Sequence, residues 1–223
     1  MFRRKMVVLS GPIVIALWFL NSYAFKYLAM DPDRLGIYWP RREWLFAHII
    51  GGSVALLLGP IQLWFGLTRQ SMRIHRILGI GYVIGVATSG IAAFYLAFHT
   101  DFGWVVGLGM FCMGLAWTVS TALATISIYR GFVQQHKEWM IRSYVLTFSF
   151  ITFRLVTTLL ELGNVGTTVE QMTAASWFSW AFPLLVLETV LQGRKILAPK
   201  KATEPVISAS AETLTINSIS AGT

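Results

Sequence analysis

The chain has 223 residues, 55% of them apolar and 13% charged, with a mean hydropathy of +0.62, a mixture too apolar for one soluble domain that must keep its surface wet. Its net charge of +8 does not indicate nucleic-acid binding, because Lys and Arg fall in short clusters between apolar runs and form no continuous basic face. The single cysteine, Cys112, lies inside an apolar run and excludes an intrachain disulfide or a cysteine-cluster metal site.

A bilayer-spanning helix needs about 20 mostly apolar residues. Runs of that kind occur at about 6–25, 44–66, 77–98, 103–128, 139–162 and 173–193. They predict an all-α fold, a polytopic membrane bundle of six transmembrane helices within residues 1–197. Arg3, Arg4 and Lys5 precede the first span; Arg69, Arg73 and Arg76 follow the second; Arg130 and Lys137 follow the fourth; Arg194, Lys195, Lys200 and Lys201 follow the sixth. The alternate loops are mixed or acidic. Because positive loops stay in the cytoplasm, the pattern predicts a multi-pass inner-membrane protein with both termini cytoplasmic, N-in and C-in.

The first span also has the form of a secretory signal, with Arg3-Arg4-Lys5 as n-region and Ser22-Tyr23-Ala24 as cleavage-like spacing. The length of its apolar run and the bulky Trp18 and Phe19 favour a retained anchor. At the other end, residues 198–223 are rich in Ser, Thr and Ala, with too few large apolar residues to fold alone, which predicts a disordered cytoplasmic tail.

Short polar turns, Gly66 to Arg76 and Tyr129 to Glu138, predict antiparallel neighbours. Gly81 with Gly85, and Gly103 with Gly107, have the spacing that lets helix backbones approach closely. Gly59-Pro60 predicts a kink or a site near the end of the second span.

With no long loop, chemistry must be done inside the bundle or at its faces, where ionisable groups mark functional positions. His48 and His99 fall near the outer face, His75 and His136 near the cytoplasmic face. A six-coordinate haem needs one axial nitrogen from each side of a flat macrocycle. His75 and His136 begin helices that run in the same direction and are candidates for that pair, with Arg73, Arg76 and Arg142 as contacts for the propionates. Met110 and Met113 are conceivable partners for His48. The alternative is that each histidine bonds to backbone or lipid headgroups.

Arg154 lies 15 residues beyond Trp139, roughly 22 Å along a helix at 1.5 Å per residue, and so falls within the outer half of the bilayer. Neither Glu161 nor Glu188 is an obvious partner at its depth, whereas His48 is at about its level. A ligand carboxylate, a quinone oxygen or a haem propionate would satisfy it, and so would helix carbonyls with the side chain snorkelling outward. Trp39, Trp44, Trp104, Trp139 and Trp177 near span ends fit an interfacial belt. No phosphate-binding glycine loop, nucleophile elbow or zinc-protease motif is present.

Taken together, Ala47-His48-Ile49-Ile50-Gly51-Gly52, Leu58-Gly59-Pro60-Ile61-Gln62, His75-Arg76-Ile77-Leu78-Gly79 with Tyr82, and His136-Lys137-Glu138-Trp139-Met140-Ile141-Arg142-Ser143 with Arg154 resemble the domain-of-unknown-function 2306 family of multi-pass membrane proteins over about residues 44–160. The resemblance implies a shared site built from His48, His75, His136, Arg142 and Arg154. It carries no defined activity. A more distant architectural likeness is to the transmembrane b-type dihaem cytochromes, which place histidines on four central helices; the fourth helix here has none to partner His48.

These readings predict a haem b membrane protein, with His75 and His136 as ligands to the haem iron, passing electrons to or from a quinone or another redox partner within the lipid bilayer. The alternatives are a small-solute transporter or channel using Arg154 and His48, or a non-catalytic assembly protein.

Overall fold

The computed structural model describes the backbone of residues 2–197 and the side chains of residues 11–197. The predicted tail, 198–223, and the side chains of Arg3, Arg4 and Lys5 lie outside these. The order is α1 (Phe2–Phe19), a π-turn (Leu20–Ala24), a 3-10 turn (Phe25–Ala29), α2 (Pro32–Leu35), a second 3-10 turn (Gly36–Arg41), then α3 (Arg42–Thr68), α4 (Met72–Phe98), α5 (Trp104–Tyr129), α6 (Val133–Leu162) and α7 (Thr168–Leu197). Contacts divide the chain after Glu188, and the packing described below belongs to the part before it.

Six helical stretches are long and apolar enough to cross a membrane. The first of them extends to Ala29, beyond the end at residue 25 read from hydropathy, because helical turns continue until Met30 takes a left-handed conformation (φ 52°). Asp31 then starts α2, its carboxylate accepting the Asp33 N–H at 3.0 Å with Pro32 at the first helical position. The predicted loop Lys26 to Glu43 is thus mostly short helical pieces that feed directly into α3. Each of the long helices exceeds need: α4, with 27 residues, is about 40 Å long against a hydrocarbon core of about 30 Å. Their ends therefore reach the interface.

α3 packs along α4, α4 along α5, α5 along α6, and α6 meets α3, so four helices enclose one interior; α1 lies against α3. The distribution of side chains inverts that of a soluble bundle. On α4, Ile77, Ile80, Ile84 and Ile91 are each about 60% exposed, while Tyr82 and Ser89 are fully buried. Apolar residues face outward because lipid is their solvent, and polar ones turn inward because only protein can satisfy them there.

Close approach of α3 and α4 depends on glycine. A Cβ on Gly51 would sit 2.6 Å from the Gly85 carbonyl oxygen, and one on Gly85 would sit 2.8 Å from that of Gly51. Gly81 likewise faces α3, 3.0 Å from Leu58. The Gly103/Gly107 pairing expected inside one helix is corrected: Gly103 caps α5 from outside it at φ 93°, a conformation that glycine adopts without strain, and Gly107 alone meets α4, at Ala97. Gly59-Pro60, read as a kink or a site, lies inside α3, which continues through Pro60 to Thr68. Gly59 accommodates the ring of Tyr144 from α6.

Candidate functional site

α4 and α6 face each other across the interior, and their inward-facing residues recur every seven positions, two turns apart. His75, Tyr82 and Ser89 form this series on α4; His136, Ser143 and Phe150 form it on α6. Seven residues return a side chain to nearly the same helix face, so the two series meet at three levels, each about 10 Å from the next.

At the first level the rings of His75 and His136 lie 6.4 Å apart, centroid to centroid, at 89°. Each is held by a main-chain carbonyl of a neighbouring helix: His75 Nδ1 is 3.1 Å from the Gln62 oxygen of α3, and His136 Nδ1 is 2.9 Å from the Ala124 oxygen of α5. A carbonyl only accepts, so Nδ1 carries the proton in both rings and Nε2 carries the lone pair. Nearby space depends on small residues: a Cβ on Gly66 would meet the His75 ring at 3.0 Å, and one on Gly79 would meet the Gln62 amide at 2.6 Å. Among the described residues, Gln62 Oε1 and Tyr144 Oη are buried without a hydrogen-bond partner.

The second level is a closed set of hydroxyls that sequence reading missed. Tyr82 Oη lies 2.7 Å from Ser143 Oγ and 2.8 Å from Thr147 Oγ1; Thr121 of α5 joins Ser143 at 2.7 Å, and the Trp117 indole donates to Thr147 at 2.8 Å. The only signal for it was the seven-residue spacing from the two histidines.

At the third level Ser89 Oγ donates to the His48 carbonyl at 2.9 Å, while His48 Nδ1 lies 3.1 Å from the Ser89 carbonyl. With the hydroxyl proton engaged, Nδ1 is the donor to Ser89. The His48 ring meets Phe150 edge-on at 5.1 Å, and Phe150 meets Trp117 at 5.4 Å. An aromatic layer therefore separates the hydroxyl cluster from His48.

His48 does not pair with another histidine. His99 bonds to its own helix at the Tyr95 carbonyl (2.8 Å) and stacks on the Tyr95 ring, which stacks on Trp44. His48, His99, Met110, Met113 and Arg154 do share a feature: all line one cavity of about 260 Å³ at this end of the bundle, together with Tyr38 and Arg41. Arg41 is matched by Asp101, with contacts of 2.6 and 2.9 Å. That guanidinium holds the exposed Asp101 carboxyl below its ordinary value.

Arg142, expected beside the haem propionates, is engaged elsewhere. Its guanidinium bonds both oxygens of Glu188 in α7, one of them at 2.9 Å, reaches Glu138 at 3.9 Å and lies over the Trp139 ring. It stands one position before Ser143, so helical rotation points it away from the face that His136 shares. Glu188 was dismissed as a partner for Arg154, and nothing in sequence spacing linked it to a residue 46 positions away.

Six helices long and apolar enough to cross a membrane, four of them enclosing a polar interior, define an α-helical integral membrane protein of the multi-pass class. Within it the chain belongs to the family of predicted membrane proteins DUF2306, which it matches over residues 45–191. No curated protein and no solved structure matches it. The matched region begins in α3 and so includes all four histidines, Arg142 and Arg154.

Proposed function

We propose that the protein is a membrane electron carrier that holds one haem b between His75 and His136. The observation that carries this reading is the opposed pair of imidazoles, each with Nδ1 committed to a carbonyl. The rings lie 6.4 Å apart, centroid to centroid, and with Nδ1 of each bonded to a carbonyl, Nε2 is the nitrogen by which His75 and His136 would hold a haem iron. Carbonyl bonds to the distal nitrogen are also what orients metal-binding histidines and raises their basicity.

The donor set argues in the same direction. Among the described residues no three His, Cys, Asp or Glu groups gather at one point, whereas zinc takes three or four protein ligands. Two imidazoles without a third protein ligand would suit a haem, which brings its own nitrogen donors. When bound, haem supplies a one-electron redox centre whose potential follows its ligands and surroundings. The chain's part would be to orient the rings through the Gln62 and Ala124 carbonyls, to seat the His75 ring and the Gln62 amide against Gly66 and Gly79, and to offer the exposed Arg73 and Arg76 for propionates, since Arg142 is bound to Glu188. The Trp117–Phe150 layer favours a carrier over a continuous solute path.

The test is the absorption spectrum of the purified protein before and after dithionite. A Soret band that sharpens on reduction, lost in both His75→Ala and His136→Ala, is expected. A preparation colourless even after haem supplementation, or an unchanged spectrum in both variants, would overturn the proposal.

A further inference from the structure

The cavity at the His48 end has features that the electron-carrier reading does not use. Its wall is aromatic and aliphatic, including Tyr23, Tyr27, Phe150 and Phe153, with Arg154 as the cation on α6. Of the two arginines that line it, Arg41 is neutralised by Asp101. Arg154 is different. Among the described residues its guanidinium has no ion pair and donates no hydrogen bond; the Tyr38 phenol lies within electrostatic reach of it. The half-buried side chain sits on the opposite end of α6 from the Arg142–Glu188 pair, so no carboxylate of that pair can serve it.

A guanidinium among apolar walls at membrane depth is costly without an anion. The cavity thus combines one uncompensated positive charge with apolar space. Its size, about 260 Å³, is close to the lower range for sites that hold small organic ligands. Ser89 holds His48 on the same wall with its distal nitrogen as an acceptor, a second polar group beside the cation.

We propose that this cavity is a binding site for an anionic amphiphile, with its carboxylate or phosphate head on Arg154 and its apolar body among the aromatic side chains. The head group's source is either a free acid partitioning into the bilayer or an anionic phospholipid of the membrane itself. The proposal does not rest on the histidine pair at the other end.

The experiment uses the full-length protein in discs of zwitterionic lipid, titrated with the fluorescent fatty acid parinaric acid and, separately, with its uncharged methyl ester. Charge-assisted recognition predicts that the acid binds at least about tenfold more tightly than the ester. Arg154→Gln should abolish this preference while retaining ester binding, and Arg154→Lys should keep part of it. Equal affinity for acid and ester in the unaltered protein would overturn the proposal, whether or not any variant folds. So would an Arg154→Gln protein that folds and still prefers the acid. Competition by phosphatidylglycerol in the discs would assign the head to a lipid phosphate; competition by palmitate alone would assign it to a free acid.

Discussion

Tyr82 of α4 and Ser143 of α6 meet hydroxyl to hydroxyl at 2.7 Å, two turns above the histidines that begin their helices. The same Tyr82 oxygen also contacts Thr147, so one buried phenol joins two turns of α6. Tyr82→Phe should keep the packing and remove two hydrogen bonds. Hydrogen bonds between membrane helices average about 0.6 kcal/mol, and Ser143 and Thr147 retain Thr121 and Trp117. A loss of about 1 kcal/mol in unfolding from detergent micelles is expected; a loss above about 3 kcal/mol would mean that the cluster is a cooperative unit rather than a sum of pairs.

Arg142 serves two carboxylates, so the two ends of its bridge are not equivalent. Glu188→Gln leaves the guanidinium with Glu138 and an amide oxygen, whereas Arg142→Leu removes the shared cation from between two acids. Arg142→Leu should cost about 2 kcal/mol, less than breaking a fully buried pair because Glu188 is partly exposed, and Glu188→Gln about 1 kcal/mol. Paired melting curves check the order. Equal losses would show that Glu138 contributes nothing to holding the arginine.

The contact of α3 with α4 predicts a graded glycine series. At Gly51 and Gly85 an added methyl would press on backbone, which cannot rotate away. Alanine at either position should destabilise by about 1–3 kcal/mol through forced separation of the helices. Gly193→Ala, where nothing lies within 4 Å, should be neutral or slightly stabilising through helix propensity. Thermal stability of the three variants in one detergent decides it.

The Arg41–Asp101 pair should make stability depend on acid. Asp101 has a folded-state value below its unfolded one, so its contribution is present at neutral pH and is lost as pH falls through the lowered value. Asp101→Asn should therefore lower the melting temperature at neutral pH and have little effect at the acid end, where the wild-type carboxyl is protonated. A difference between the two proteins that stays constant across that range would exclude the ion pair as its origin.

The sequence alone determined that the protein is a six-crossing helical membrane protein, that its histidines are spread over three of the long apolar runs and their ends, and that Arg154 falls inside one of the spans. These follow from run length, charge clusters and rise per residue, which are local quantities. His75 and His136 were also legible as a pair, because both begin parallel helices and so share a level. Which groups touch across the interior was decided only by the tertiary structure. Glu188 engages Arg142, Ser89 rather than a second histidine holds His48, and Gly59 receives the Tyr144 ring. Such choices depend on the rotation of each helix about its axis. Rotation is set by packing against neighbours distant in sequence, and in a chain whose outward face is uniformly apolar the hydrophobic pattern carries little information about it.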